Sequence, residues 1–75
     1  MTEQVDFQLT SEFIELNQLL KLMGLCASGG AGKVLVAGGK VRVDGEIELR
    51  KTCKIRAGQV VSYGKSRITV TRNVN

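Results

Sequence analysis

The stretch SGGAGKVLVAGGKVRVDG, Ser28–Gly45, contains the change of period that decides the fold. Behind Ser28, a residue suited to capping a first turn, Ala31, Val34 and Leu35 recur at helical spacing, and Gly38-Gly39 ends the pattern. This spacing predicts a helix over 29–37. From Lys40 the period becomes two: Lys40 and Arg42 share one face, Val41 and Val43 the other, and Asp44-Gly45 is a strong hairpin-turn signal. Gly29, Gly30 and Gly32 each weaken the helix by about 1 kcal/mol relative to Ala. Small residues kept at that cost serve either close packing against a neighbouring helix or close approach of a ligand to the helix end.

Upstream, Leu16, Leu19, Leu20 and Met23 recur at helical spacing with Phe13 one turn earlier. Ser11 offers an N-cap, Glu12 and Glu15 favour the first turn, and Gly24 supplies a left-handed stop, which predicts a first helix over 12–23. Val5, Phe7 and Leu9 alternate, as in a short strand at a sheet edge. Downstream, Ile47 and Leu49 either continue the second hairpin arm or enter a loop. Short strands are expected at 54–56, 59–63 and 67–71, separated by turns at Ala57-Gly58 and Gly64-Lys65, with Ile68 and Val70 pointing inward. Two helices followed by several short strands give an α+β domain, the helices on one side of a small, mostly antiparallel sheet. Its 75 residues allow a single domain over 1–75, with a core from about 12 to 71.

The net charge of +4 conceals an asymmetry. Residues 1–20 carry Glu3, Asp6, Glu12 and Glu15 with no Lys or Arg, whereas residues 21–75 hold all 11 basic residues against Asp44, Glu46 and Glu48, a net of +8. The basic charge thus belongs to the folded body, which points to a polyanionic partner, nucleic acid before an anionic membrane. With only Phe7, Phe13 and Tyr63 as aromatics, stacking of several bases on rings is not the expected mode. No apolar run approaches the roughly 20 residues of a membrane span, and a reducing cytoplasm is expected. Cys26 and Cys53 form no CxxC, and without histidine a zinc site lacks ligands. They read as small buried hydrophobes, with a disulfide between them as the alternative.

Catalysis finds little support. There is no His, and neither Cys26 nor Ser28 has a base partner in view. Glu46 and Glu48, two apart on a strand, read as solvent-facing partners in weak ion pairs. SGGAGK suggests a phosphate loop, yet the pattern GxxxxGK[ST] requires Gly where Ala27 stands and Ser or Thr where Val34 stands, and it must follow a strand. No cofactor and no small-molecule substrate are expected. A milder form of the same physics remains: amides at the second helix's N-terminus, kept bare by Gly29 and Gly30, can approach a phosphate, with Lys33 adding charge.

The run from Leu16 to Gly45 resembles the small RNA-binding domain named after ribosomal small-subunit protein S-four. That pattern is a first helix ending in Gly (Gly24), a Ser opening a second helix (Ser28), then Gly39, the strand Val41-Arg42-Val43 and the turn Asp44-Gly45. AGQVV, Ala57–Val61, is similar to the family's Gly-Asp-x-Val element, with Gln59 replacing the acidic residue. The resemblance covers roughly Phe13 to Tyr63 and is strongest to the stand-alone YbcJ-type bacterial members. Many relatives carry basic residues where Gly29 and Gly30 stand, so this chain lacks helix-borne arginines there.

The resemblance implies non-catalytic binding of structured RNA, ribosomal or transfer RNA among the candidates, by a monomer that uses the face of the second helix and the following hairpin. On this chain that face offers Ser28, Gly29, Gly30, Lys33, Lys40, Arg42, Arg50, Lys51, Lys54 and Arg56. Arg42 and Arg50 are the expected forked phosphate contacts, with Lys33, Lys51 and Lys54 as point charges. Lys21 is expected to complement the first helix's dipole, and Lys65, Arg67 and Arg72 to decorate the far edge. Two other classes compete: a module docking on an acidic protein or the ribosome, signalled by exposed apolar residues, and a redox adapter requiring an exposed, activated Cys53.

Overall fold

The computed structural model describes residues 3–72; the ends of the expected domain, residues 1–2 and 73–75, lie outside them. In chain order the elements are β1 (Glu3–Leu9), β2 (Ile14–Glu15), α1 (Leu16–Leu22), α2 (Gly29–Ala37), β3 (Val41–Val43), β4 (Glu46–Ile47), β5 (Lys54–Ile55), β6 (Val60–Tyr63) and β7 (Ser66–Arg72). A five-stranded sheet has the order β1-β7-β6-β3-β4, and β2 pairs with β5 in a separate two-stranded sheet. Every pairing is antiparallel except β1 with β7, where the N-terminal strand lies parallel along the last from Glu3↔Ser66 to Leu9↔Arg72. This is the α+β arrangement expected, with one strand added in parallel at the edge.

Alternation places the core. Val41, Val61, Ile68 and Val70 are fully buried on the sheet, and Leu16, Leu19, Leu20 and Val36 meet them from the helices. Each such side chain contributes about 1.5–3 kcal/mol relative to an exposed one. β7 lies between β1 and β6, so its two inward residues are covered from both sides.

The first helix starts later than expected, at Leu16. Ser11 does not cap it; its Oγ donates to the Phe13 carbonyl (2.9 Å) in a turn. Ile14 and Glu15 are extended against Ile55 and Lys54, and the Leu16 amide donates to the Cys53 carbonyl (2.8 Å). A strand pairing distant in sequence thus supplies the partner that a local cap would have given, and no acidic residue occupies the first turn. The other end follows the sequence reading. Gly24 takes φ 77°, the Gly24 amide donates to Lys21 O and the Leu25 amide to Leu20 O, a Schellman closure.

α2 spans the expected residues, and its glycines divide by role. A Cβ on Gly32 would stand 2.6 Å from the Asn17 carbonyl oxygen, so Gly32 lets the two helices meet backbone to backbone. On Gly29 it would strike the mobile end of Gln18, and on Gly30 it would meet only the Ser28 Oγ at 3.8 Å. Packing therefore accounts for Gly32, while Gly30 borders open space.

Candidate nucleic-acid interface

At the start of α2, Ser28 is extended (φ −155°, ψ 167°), its Oγ accepts from the Ala31 amide (3.1 Å), and its carbonyl accepts from Gly32 N (3.0 Å). The Cys26 thiol donates to the same carbonyl (3.4 Å) and holds the cap in place. The amides of Gly29 and Gly30 remain at the helix end. Asn17, 2 % exposed, donates from Nδ2 to the Gly29 carbonyl (3.3 Å) and pins this end of α2 to α1. Lys33 is exposed on α2.

The β3–β4 hairpin turns through Asp44 (φ 53°) and Gly45 (φ 87°), both left-handed. Burial of Val41 and Val43 turns Arg42 to solvent, where its Nη1 donates to the Gly45 carbonyl (3.1 Å), and Lys40 is exposed just before the strand. Asp44 also ties the hairpin to β6: its Oδ1 accepts from Val60 N (2.9 Å) and its amide donates to Val60 O (2.7 Å).

Beyond β4, the Glu48 amide donates to Val41 O (3.0 Å), carrying the basic segment along β3. Glu48 is not the solvent-facing strand residue expected. Its side chain is 16 % exposed and accepts a fork from Arg50, Nε to Oε2 and Nη2 to Oε1 at 2.9 Å each, plus the Arg50 amide at 2.9 Å. These bonds, the side-chain fork first, hold the Glu48 carboxyl down at about 2 and raise the Arg50 guanidinium. The fork foreseen for phosphate at Arg50 is thus engaged by Glu48, although the Arg50 side chain is 77 % exposed.

Lys51 is exposed in the loop that follows. Lys54 and Arg56, also exposed, converge on one ring: Lys54 Nζ lies 5.0 Å and Arg56 Cζ 5.7 Å from the Phe13 centroid. Gln59 Oε1 accepts from the Arg56 amide (2.7 Å). Arg50, Thr52, Cys53, Lys54 and Gln59 line an open depression of about 440 Å³. Sequence reading missed the parts of Phe13, Glu48, Thr52 and Gln59. Glu48 two residues before Arg50 and Gln59 three residues after Arg56 were local signals, whereas the contacts of Phe13 are distant in sequence.

Both cysteines are free and half-buried against the core. Burial first, then the Glu48 carboxylate, pushes the Cys53 thiol up, the opposite of what an activated thiol needs. Lys21 sits in the last turn of α1, and Arg67 and Arg72 lie on β7 beside the acidic edge strand. Among the described residues no helix is long and apolar enough to cross a membrane, and no three His, Cys, Asp or Glu side chains gather as a metal site.

A family model described as the S4 domain matches residues 7–71. "Putative RNA-binding protein YbcJ" of Escherichia coli (strain K12) is 49% identical over 57 residues, 76% of this chain and 81% of that protein. "Uncharacterized protein YbcJ" of Shigella flexneri matches to the same extent. The solution structure of YbcJ from E. coli, described as revealing an "alfaL motif involved in RNA-binding", superposes with a TM-score of 0.69 at 43% identity, covering 95% of this chain and 91% of that one. With a match spanning both helices and nearly the whole sheet, the chain belongs to the S4 domain family.

Proposed function

We propose that the protein binds structured RNA without catalysing a reaction on it, through a basic face made by α2, the β3–β4 hairpin and the 50–56 segment. The observation that carries this reading is the way these three basic segments are tied together. Leu16 N bonds to Cys53 O and Asn17 Nδ2 to Gly29 O, so the 50–54 loop and the start of α2 are linked through the first turn of α1, while Glu48 N bonds to Val41 O and ties the chain entering that loop to β3. Family membership and the printed descriptions of YbcJ support the same reading. Lys33, Lys40, Arg42, Lys51, Lys54 and Arg56 are the exposed cations that would meet phosphates, with Arg50 joining by exchanging Glu48 for phosphate. Ser28, Gly29 and Gly30 would present the bare end of α2 to the same backbone. Such contacts read backbone and shape in preference to base sequence. Fluorescence anisotropy with a stem–loop RNA tests this: Lys40→Glu with Arg42→Glu should weaken binding at least tenfold, and unchanged affinity would sink the reading.

One observation favours a second reading. Val34, Ile47 and Leu49 are 70 %, 51 % and 61 % exposed, an apolar component suited to a protein partner. Capture of such a partner that survives nuclease treatment and is lost in Leu49→Ser would favour protein docking.

A further inference from the structure

The depression lined by Arg50, Thr52, Cys53, Lys54 and Gln59 has fixed walls. On one side the loop is closed by Cys53 N to Arg50 O (3.2 Å) and anchored to α1 by Leu16 N to Cys53 O (2.8 Å). On the other, Gln59 is held by its own amide to Arg56 O (3.2 Å), by its carbonyl accepting from Val70 N (3.0 Å), and by Oε1 accepting from Arg56 N (2.7 Å). With Oε1 committed, the polar atom left on the Gln59 side chain is the donor Nε2. Lys54 adds an ammonium and Thr52 a hydroxyl, while Arg50 retains Nη1 beyond the two nitrogens given to Glu48. Glu48 is the adjoining carboxylate; the Arg50 fork and the Arg50 amide cover it, and it also faces the Cys53 thiol at 3.6 Å. Glu15, directly opposite Lys54 in the β2–β5 pair, shares its face but does not line the depression. The lining is therefore rich in donors and holds no carboxylate, and the adjoining Glu48 is already paired with Arg50, which is the chemistry of an oxyanion seat.

We propose that this depression seats one phosphodiester of the bound RNA, with Thr52, Lys54 and Gln59 donating to its oxygens. The proposal rests on the RNA-binding reading and adds to it a defined place for one phosphate, using two uncharged residues, Thr52 and Gln59. Its volume exceeds that of a lone phosphate group, so the flanking ribose can enter as well.

Gln59→Glu tests it directly, because the new carboxylate keeps an acceptor for the Arg56 amide while placing a negative charge at the seat. With a stem–loop RNA, affinity should fall roughly tenfold and the slope of log K against log[salt] should lose about one phosphate's worth. Thr52→Val, which leaves the Arg56 turn untouched, should lower affinity about threefold and serves if Gln59→Glu fails to fold. In a parallel NMR titration, inorganic phosphate should shift the amides of residues 52–54 and the Gln59 side-chain NH₂ in the parent protein but not in Gln59→Glu. RNA affinity and salt slope unchanged in both folded variants would overturn the seat while leaving RNA binding intact. Phosphate-dependent shifts without any RNA response to the variants would assign the depression to free phosphate and likewise overturn the proposal. Failure of the parent protein to bind the RNA even at low salt would remove the reading on which it rests.

Discussion

Gly30 and Gly32 are two residues apart on α2 yet answer to different pressures. A side chain on Gly32 would run into the Asn17 backbone, which cannot swing aside, whereas Gly30 faces open space. We therefore expect Gly32→Ala to cost about 2 kcal/mol through overpacking and Gly30→Ala to gain up to about 1 kcal/mol of helix propensity, read from chemical denaturation. Equal effects at the two sites would contradict the packing account. Both pressures, packing and open approach, were visible in SGGAGK as alternatives; assigning each to its glycine required the position of Asn17. Glu48 carries a second residue-scale expectation. Its carboxyl is depressed from the ordinary 4.5 to about 2 by the Arg50 fork, so its contribution to stability is complete above about pH 4.5 and is lost as the pH falls towards 2. Denaturation midpoints measured from pH 6 down to pH 2.5 should decline in the parent protein and decline less in Glu48→Gln; parallel declines would show that the pair is not the titrating element.

Among the elements, the β3–β4 hairpin joins local and non-local determinants. Asp44 occupies a left-handed conformation and its carboxylate receives the Val60 amide, so one side chain sets both the turn and the junction with β6. Asp44→Ala loses both and should cost about 1–2 kcal/mol, whereas Asp44→Asn, which tolerates the same φ and keeps an acceptor, should cost much less. A similar loss in both variants, measured by thermal unfolding, would place the effect elsewhere. This hairpin and α2 were legible because their signals are local: a cap, a change of period and an Asp-Gly turn. The start of α1 was not. Residues 12–15 carry good helix-start chemistry, but Ile14 and Glu15 pair with β5, and no feature within a dozen residues of Ser11 announces that partner. The same distance hid the cations on Phe13.

For the whole molecule, the sheet order carries part of the charge asymmetry along the chain into space. Glu3 and Asp6 lie on β1 at one edge, and the β3–β4 hairpin with Arg42 forms the other. Glu3 and Asp6 are thereby kept at the far edge from the proposed interface, whereas Asp44, Glu46 and the Arg50-paired Glu48 lie within it. The sheet order, which the alternation pattern alone does not dictate, creates this separation by carrying the N-terminal strand to the outside of β7. The most direct measurement of the central claim is the affinity for a stem–loop RNA as a function of salt. If exposed cations on this face meet phosphates, log K should fall linearly with log[salt] with a slope of about −3 to −5, and Arg42→Ser should reduce its magnitude by about one. A slope shallower than about −1, or one unchanged by Arg42→Ser, would contradict it.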